Sequence, residues 1–110
     1  MAYDAGMAET MREDIGEQIG LSTRKMFGGL CFMLRGHMLC GVLKTGAMYR
    51  IGKDRHAKAL ALPGTRPMAF TGRLMGGFVE LPADDFADDE IRQALTMLCF
   101  ENVQSLPERG

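Results

Sequence analysis

The side chains able to do chemistry are few and scattered. His37 and His56 are the only histidines, and histidine is the one side chain that ordinarily titrates near neutrality. His37 falls in an expected turn and His56 on a short basic helix, where solvation accounts for both. Ser22 and Ser105, the only serines, flank helix ends, and neither stands in a nucleophile context with a histidine. Cys31, Cys40 and Cys99 lie in the apolar runs LCFML, MLCGVL and MLCF, with no CxxC and no histidine at zinc spacing. They read as reduced thiols packed as small hydrophobes. Cys31 and Cys40 also face each other across an expected hairpin, which leaves a redox pair as a second reading. Asp84, Asp85, Asp88, Asp89 and Glu90 concentrate carboxylates without the glycine and terminal glutamate of an EF-hand loop. A helix N-terminus, where negative charge is favoured, explains them. No catalytic residue, metal site or cofactor is expected from this inventory.

One block carries more information. Arg24-Lys25-Met26-Phe27-Gly28-Gly29 places two cations beside paired glycines. Glycines just inside a strand let the sheet bend or another segment pack close, with Phe27 as an apolar anchor. Alternatively, their amides form an anion-binding nest next to Arg24 and Lys25. The spacing matches neither a P-loop nor a dinucleotide fingerprint.

Charge is partitioned along the chain. The formal net charge of the 110 residues is −1, but residues 1–21 carry −4, residues 22–73 carry +9 and residues 74–110 carry −6. Acidic terminal helices therefore frame a basic middle, either neutralising it or leaving it to meet an anionic partner. Lys44, Arg50, Lys53, Arg55, Lys58 and Arg73 form the candidate basic surface. A weak DNA contact through these bases is one expectation. The sequence has no helix-turn-helix or RRM signature, and a pI near 6.1 argues against tight nonspecific binding.

The elements that must position these groups follow from periodicity. Met7, Met11, Ile15 and Ile19 recur at four-residue spacing, predicting a helix over 3–19 with Gly20 as its stop. From Thr23 to Gly52 the pattern reads as three strands, with turns at Arg35-Gly36-His37 and Thr45-Gly46. This pairing puts Cys31, Met33, Met38, Cys40 and Val42 on one face, and Phe32, Leu34, Leu39 and Leu43 on the other. Both faces are apolar, whereas an antiparallel sheet usually wets one. With three helices to cover two faces, the second is expected to be a subunit interface, and the protein a homodimer. The ten methionines suit adaptable core or interface packing. Lys53–Leu62 reads as a short helix stopped by Pro63-Gly64, followed by strands over 67–71 and 74–81. Gly76-Gly77 marks a bulge or a close approach. A last helix starts near Asp88 and ends before Pro107. The result is a single α+β domain spanning 1–110 (core about 7–106), with an antiparallel sheet and the order α-β-β-β-α-β-β-α.

Arg24-Lys25-Met26-Phe27-Gly28-Gly29, then Leu30-Cys31-Phe32 and the Arg35-Gly36 turn, resembles the opening of TfoX/Sxy N-terminal domains. Met48-Tyr49-Arg50, Pro67-Met68-Ala69-Phe70 and Met75-Gly76-Gly77-Phe78-Val79-Glu80-Leu81-Pro82 follow in matching order, so the resemblance runs from about Met7 to Leu106. It implies a fold like that of type III secretion chaperones and a regulatory role of the competence and transcription kind. The family's full-length competence regulators carry a further C-terminal helical domain, so a stand-alone, single-domain member is expected here.

Composition excludes other classes. No run approaches the roughly 18–20 apolar residues of a membrane helix, and the acidic N-terminus is not a secretory signal. A cytoplasmic protein with no membrane partner is expected. Two functions remain. The first is a non-catalytic regulatory or adaptor domain, homodimeric, contacting a protein of the transcription machinery and weakly DNA. The second is a small anionic-ligand-binding protein or enzyme using Arg24, Gly28 and Gly29.

Overall fold

A computed structural model describes residues 3–107. Helix α1 (Ala5–Ile15) begins where the Asp4 carboxylate accepts the N–H groups of Gly6 and Met7, at 2.7 and 3.1 Å, satisfying two otherwise orphaned donors. Its buried face is Ala8, Met11 and Ile15. The helix stops earlier than its periodicity predicts. Gly16, at φ 73°, returns its N–H to the Arg12 carbonyl and turns the chain away. Ile19, expected on the apolar stripe, is 92% exposed as a consequence.

Strands β1 (Leu21–Met26), β2 (Gly29–Leu34), β3 (His37–Val42) and β4 (Gly46–Arg50) form an antiparallel meander. The stretch leading into the Arg35-Gly36 turn is thus two strands rather than one. Phe27 and Gly28 separate them, at φ 55° and 73°. Positive φ at both central residues is the geometry of the tight hairpin turn whose twist matches its strands. Arg35-Gly36 and Thr71-Gly72 repeat it. A 3-10 turn (Lys53–Arg55) runs into α2 (His56–Leu60), followed by β5 (Arg66–Phe70), β6 (Arg73–Pro82) and, after a second 3-10 turn, α3 (Asp89–Gln104). Asp88 caps α3 as Asp4 caps α1, accepting from the N–H groups of Glu90 and Ile91. The fold is α+β, with three helices on one six-stranded antiparallel sheet of order β1-β2-β3-β4-β6-β5. The helices fall where the sequence places them.

Both faces of the sheet are apolar, as expected, and the structure accounts for the second one within a single chain. Helices α1 and α3 cover Phe32, Leu34, Leu39, Cys40, Val42, Tyr49, Val79 and Leu81. On the other face Cys31, Met38, Leu43, Met48 and Met68 form a separate buried cluster, with Met26, Phe27, Met33, Met75 and Phe78 packed around it. The sheet coils over this cluster. Phe27 and Phe70 lie at opposite corners, yet their rings meet edge-to-face with centroids 4.9 Å apart. Long, flexible methionines fill the irregular space that such coiling leaves. The need for a partner to cover that face, from which a subunit interface was expected, is met inside the chain.

A β-bulge changes the facing of β3. Phe32 pairs with Cys40 and Met33 with Met38, so Leu39 is an extra residue and the alternation slips by one. Cys40 and Val42 therefore share the helix side with Phe32. Cys31, opposite Gly41, belongs to the other face, and the two thiols cannot pair through the sheet. All three cysteines are free and buried, as their apolar contexts predict. His37 departs from its expected place in a solvated turn. It opens β3, is buried, and its Nε2 meets the Pro107 carbonyl.

Tyr49 is fully buried, and its hydroxyl has no hydrogen-bond partner among the described residues. An unsatisfied buried hydroxyl costs roughly 1–3 kcal/mol. Tyr49→Phe removes that cost while keeping the ring, so it is expected to stabilise the protein by about 1 kcal/mol. A lower urea midpoint for the variant would contradict this.

Candidate functional site

The residues singled out by the sequence are placed in three different environments. Arg24 and Lys25 are exposed on the edge strand β1, while Met26 and Phe27 turn into the methionine cluster. Gly28 completes the hairpin turn and has open space around it. Gly29 is where another segment packs close, since a Cβ there would collide with the Val42 carbonyl oxygen of β3. Lys44 lies in the β3–β4 turn, Lys58 is exposed on α2, and Arg73 is exposed at the start of β6.

Arg50, Lys53 and Arg55 do come together. They line a 360 Å³ cleft bounded by the β4–α2 connection, the Gly76–Phe78 stretch of β6 and the last turn of α3. Several local features open it. Gly52, at φ 84°, redirects the chain after β4, and the N–H groups of Ile51 and Gly52 both donate to the Gly77 carbonyl, at 2.9 and 3.0 Å. Between the pairs Pro67–Val79 and Ala69–Leu74, β6 carries extra residues, so Gly76 and Gly77 sit on a bulge. They also serve a close approach. A Cβ on Gly77 would stand 3.2 Å from the Lys53 nitrogen, and one on Gly76 would stand 3.0 Å from Lys53 Cε. Both expectations for the paired glycines therefore hold.

The electrostatics of the cleft are mixed but weighted to the cations. Arg50 stacks over the Phe78 ring at 5.9 Å. Arg55 donates through Nε to Glu101 Oε1 at 3.3 Å and through Nη2 to the Glu101 carbonyl at 3.4 Å. This is the only ion pair among the described residues between the basic middle and the acidic terminal helices. Arg66 pairs within its own hairpin, with Glu80 at 3.2 Å. Charge neutralisation between helices and sheet, one of the two readings of the charge partition, is thus confined to Arg55 among the ten middle bases. Among the described residues Asp54 is the one carboxylate lining the cleft.

Asn102 was not singled out by sequence, although a signal existed. It falls on the buried stripe of α3 with Leu95, Leu98 and Cys99, where a polar residue is out of place. It lines the cleft at 6% exposure, and its Nδ2 has no hydrogen-bond partner among the described residues.

A second surface feature lies on the outer side of α3. Met97, 64% exposed, separates two grooves. The larger, of 630 Å³, runs beside Asp14, Gln18, Phe100 and Glu101; the smaller, of 170 Å³, runs beside Lys58 and Leu62 of the α2 segment. No group of three or more metal-ligating side chains gathers among the described residues. No helix among them is long and apolar enough to cross a membrane.

No curated protein and no solved structure matches the chain. The family model described as the TfoX N-terminal domain matches residues 15–102, from the end of α1 to the last turn of α3, and so includes the whole sheet, the Arg24–Gly29 block and the cleft. The chain belongs to the TfoX N-terminal domain family.

Proposed function

We propose that this chain is a non-catalytic regulatory or adaptor domain that acts in the cytoplasm through protein contacts. Membership of a family of regulatory-type domains, not known as enzymes, supports the class. The observation that carries the mode of action is Met97. It projects from α3 between two grooves, with Phe100 half-buried on one side and Leu62 and Leu98 on the other. Exposed Glu13 and Glu17 near the end of α1, and Glu90 and Glu101 of α3, make the surrounding surface acidic. An apolar ridge in an acidic field suits a partner that presents an apolar side chain flanked by bases. In this reading the partner is a component of the transcription machinery. Self-association as a homodimer and a weak duplex contact through Arg24, Lys25, Lys44 and Arg73 accompany it.

The test is a titration of the full chain against purified RNA polymerase holoenzyme, read by fluorescence anisotropy. Met97→Asp is expected to weaken binding by about tenfold or more, since burying a carboxylate in an apolar contact is costly. Absence of binding by the parent chain, or equal affinity of the variant, sinks the reading. Sedimentation and a salt series with duplex DNA report on the two accompanying elements.

A further inference from the structure

We propose that the cleft between Gly52–Arg55, Gly76–Phe78 and the end of α3 is a binding site for a phosphoryl group, carried by a small phosphomonoester or by free phosphate. The site does not depend on the adaptor reading, although Glu101, which lines both grooves beside Met97, also holds Arg55.

Four observations converge on it. First, Arg50, Lys53 and Arg55 approach one space from two successive turns of backbone, against Asp54 as the lining carboxylate among the described residues. Second, Glu101 engages only part of Arg55. It takes Nε and Nη2, while Nη1 lies beside Gly52, 3.3 Å from where a Cβ would stand. The Glu101 contact thereby holds the guanidinium in place and leaves one of its edges for an anion, which pre-organises the donor. Third, Asn102 lines the cleft at 6% exposure with its carboxamide beside Gly52 and Arg55 Nη1, and its Nδ2, closed off from solvent, has no hydrogen-bond partner among the described residues. Buried donors of this kind normally find a partner, and a turn of the carboxamide toward an oxygen bound in the cleft would supply one. Fourth, glycine lets Asn102 and Lys53 settle against the floor of the cleft. A side chain at Gly52 would strike the Asn102 carboxamide, and one at Gly76 would press on Lys53.

The helix terminus beside the cleft would repel an anion if its last carbonyls were bare. They are occupied instead. Ser105 Oγ and N donate to the Asn102 carbonyl at 2.6 and 3.1 Å, Leu106 N donates to Val103 at 3.1 Å, and Arg55 and Ser105 share the Glu101 carbonyl. The three bases are then opposed by Asp54 in the lining and by Glu101 against Arg55, the carboxylates placed at the cleft among the described residues.

The chemistry selects phosphoryl over carboxylate. Two guanidinium groups and one ammonium match a group with three acceptor oxygens and roughly −1.5 to −2 charge, as a phosphomonoester has near neutrality. A carboxylate offers one charge and two oxygens. The volume of 360 Å³ is at the small end of ligand sites, typically about 300–1,000 Å³, and leaves room for a modest organic body beside the phosphate.

The experiment is a proton–nitrogen NMR titration of the full chain with inorganic phosphate, adenosine 5′-monophosphate and acetate at constant ionic strength. Saturable shifts are expected at the amides of Gly52, Lys53 and Gly77 and at the Asn102 side chain, with dissociation constants of about 1 mM or tighter for phosphoryl ligands. Acetate is expected to bind about tenfold more weakly. Lys53→Gln, whose side chain is exposed, and Arg50→Gln/Lys53→Gln are each expected to keep a folded spectrum, and the double variant to lose about tenfold or more in affinity. Preference for the nucleotide assigns an ester, and preference for inorganic phosphate assigns the free ion. The proposal is overturned by an absence of saturable shifts, by shifts centred elsewhere, by acetate binding as tightly, or by undiminished affinity in the double variant. A response to a DNA duplex alone, with neither phosphate probe active, also overturns it in favour of a phosphodiester track.

Discussion

Arg92→Met is expected to lower the free energy of unfolding by about 3 kcal/mol, a large share of the roughly 5–15 kcal/mol that holds a domain together. Arg92 is 8% exposed and sits where α1, α3 and the segment before α3 meet. Its Nε donates to Asp14 at 2.8 Å, Nη2 reaches Asp89 at 2.8 Å, and Nη1 donates to the Phe86 carbonyl at 2.8 Å. The guanidinium also lies 5.3 Å over the Phe86 ring. The hydrogen bond to Asp14, partly opposed by burial, raises its pKa above the ordinary arginine value, so the charge is permanent. Methionine preserves much of the volume but strands the Asp14 carboxylate, whose side chain is only 10% exposed, without a counter-charge. That stranded charge is the source of the loss. Asp14→Leu/Arg92→Met removes both charges and is expected to recover most of it. Urea midpoints of the two singles and the double decide the matter. A single Arg92→Met within about 0.5 kcal/mol of the parent would mean the pair carries no structural role.

The second large effect is a loss of stability in alkali. Burial pushes the Cys31 thiol up to about 11 from 9.0, and it pushes Cys40 and Cys99 further in the same direction. Tyr49 is raised as well, again chiefly by burial. For a group whose folded pKa exceeds its unfolded one, the unfolded chain releases its proton first as pH rises. Stability is therefore intact below pH 9 and falls from there through the folded pKa. Each thiol contributes about 1.4 kcal/mol per pH unit in that window, so the three together remove about 4 kcal/mol near pH 10. Denaturant midpoints between pH 8 and pH 10.5 are expected to drop steeply (a range of roughly 2.5 units across the thiol window). Cys40→Ala/Cys99→Ala is expected to be less stable at neutrality but to lose about two-thirds of this slope. An unchanged slope would place the alkaline loss elsewhere.

Much of the architecture was legible because burial writes itself into periodicity. Asp88 before an amphipathic run locates α3, and alternating apolar residues around Arg35-Gly36 locate a hairpin. Local backbone irregularities were not legible. Gly16 ends α1 although Ile19 continues the apolar spacing, because a positive φ is a conformational event that hydropathy does not register. Phe27-Gly28 hides a tight turn because a bulky residue at φ 55° is rare and lacks the usual Asn-Gly signature. The extra residue at Leu39 turned Cys40 and Val42 to the helix side, and no feature of residue type announces it. The Arg24–Gly29 block identified the family correctly. Its glycines work on the sheet: Gly28 in the turn and Gly29 against Val42. The cleft was only half visible. Arg50, Lys53 and Arg55 are neighbours in sequence, but Gly76, Gly77 and Asn102 join them only through the β4–β6 pairing and the docking of α3.

The two open edges of the sheet bear on how copies of the chain behave when crowded. An unpaired strand edge is a template for further strands, and unguarded edges lead to polymerisation. On β1 the residues Ser22, Thr23, Arg24 and Lys25 are all exposed, so two copies meeting edge to edge bring four cations into apposition. On β5 Arg66 and Pro67 are exposed, and proline offers no N–H to extend a ladder. Arg24 and Lys25 thus act as gatekeepers against aggregation. Like-charge repulsion along β1 therefore disfavours its pairing with the same edge of another copy.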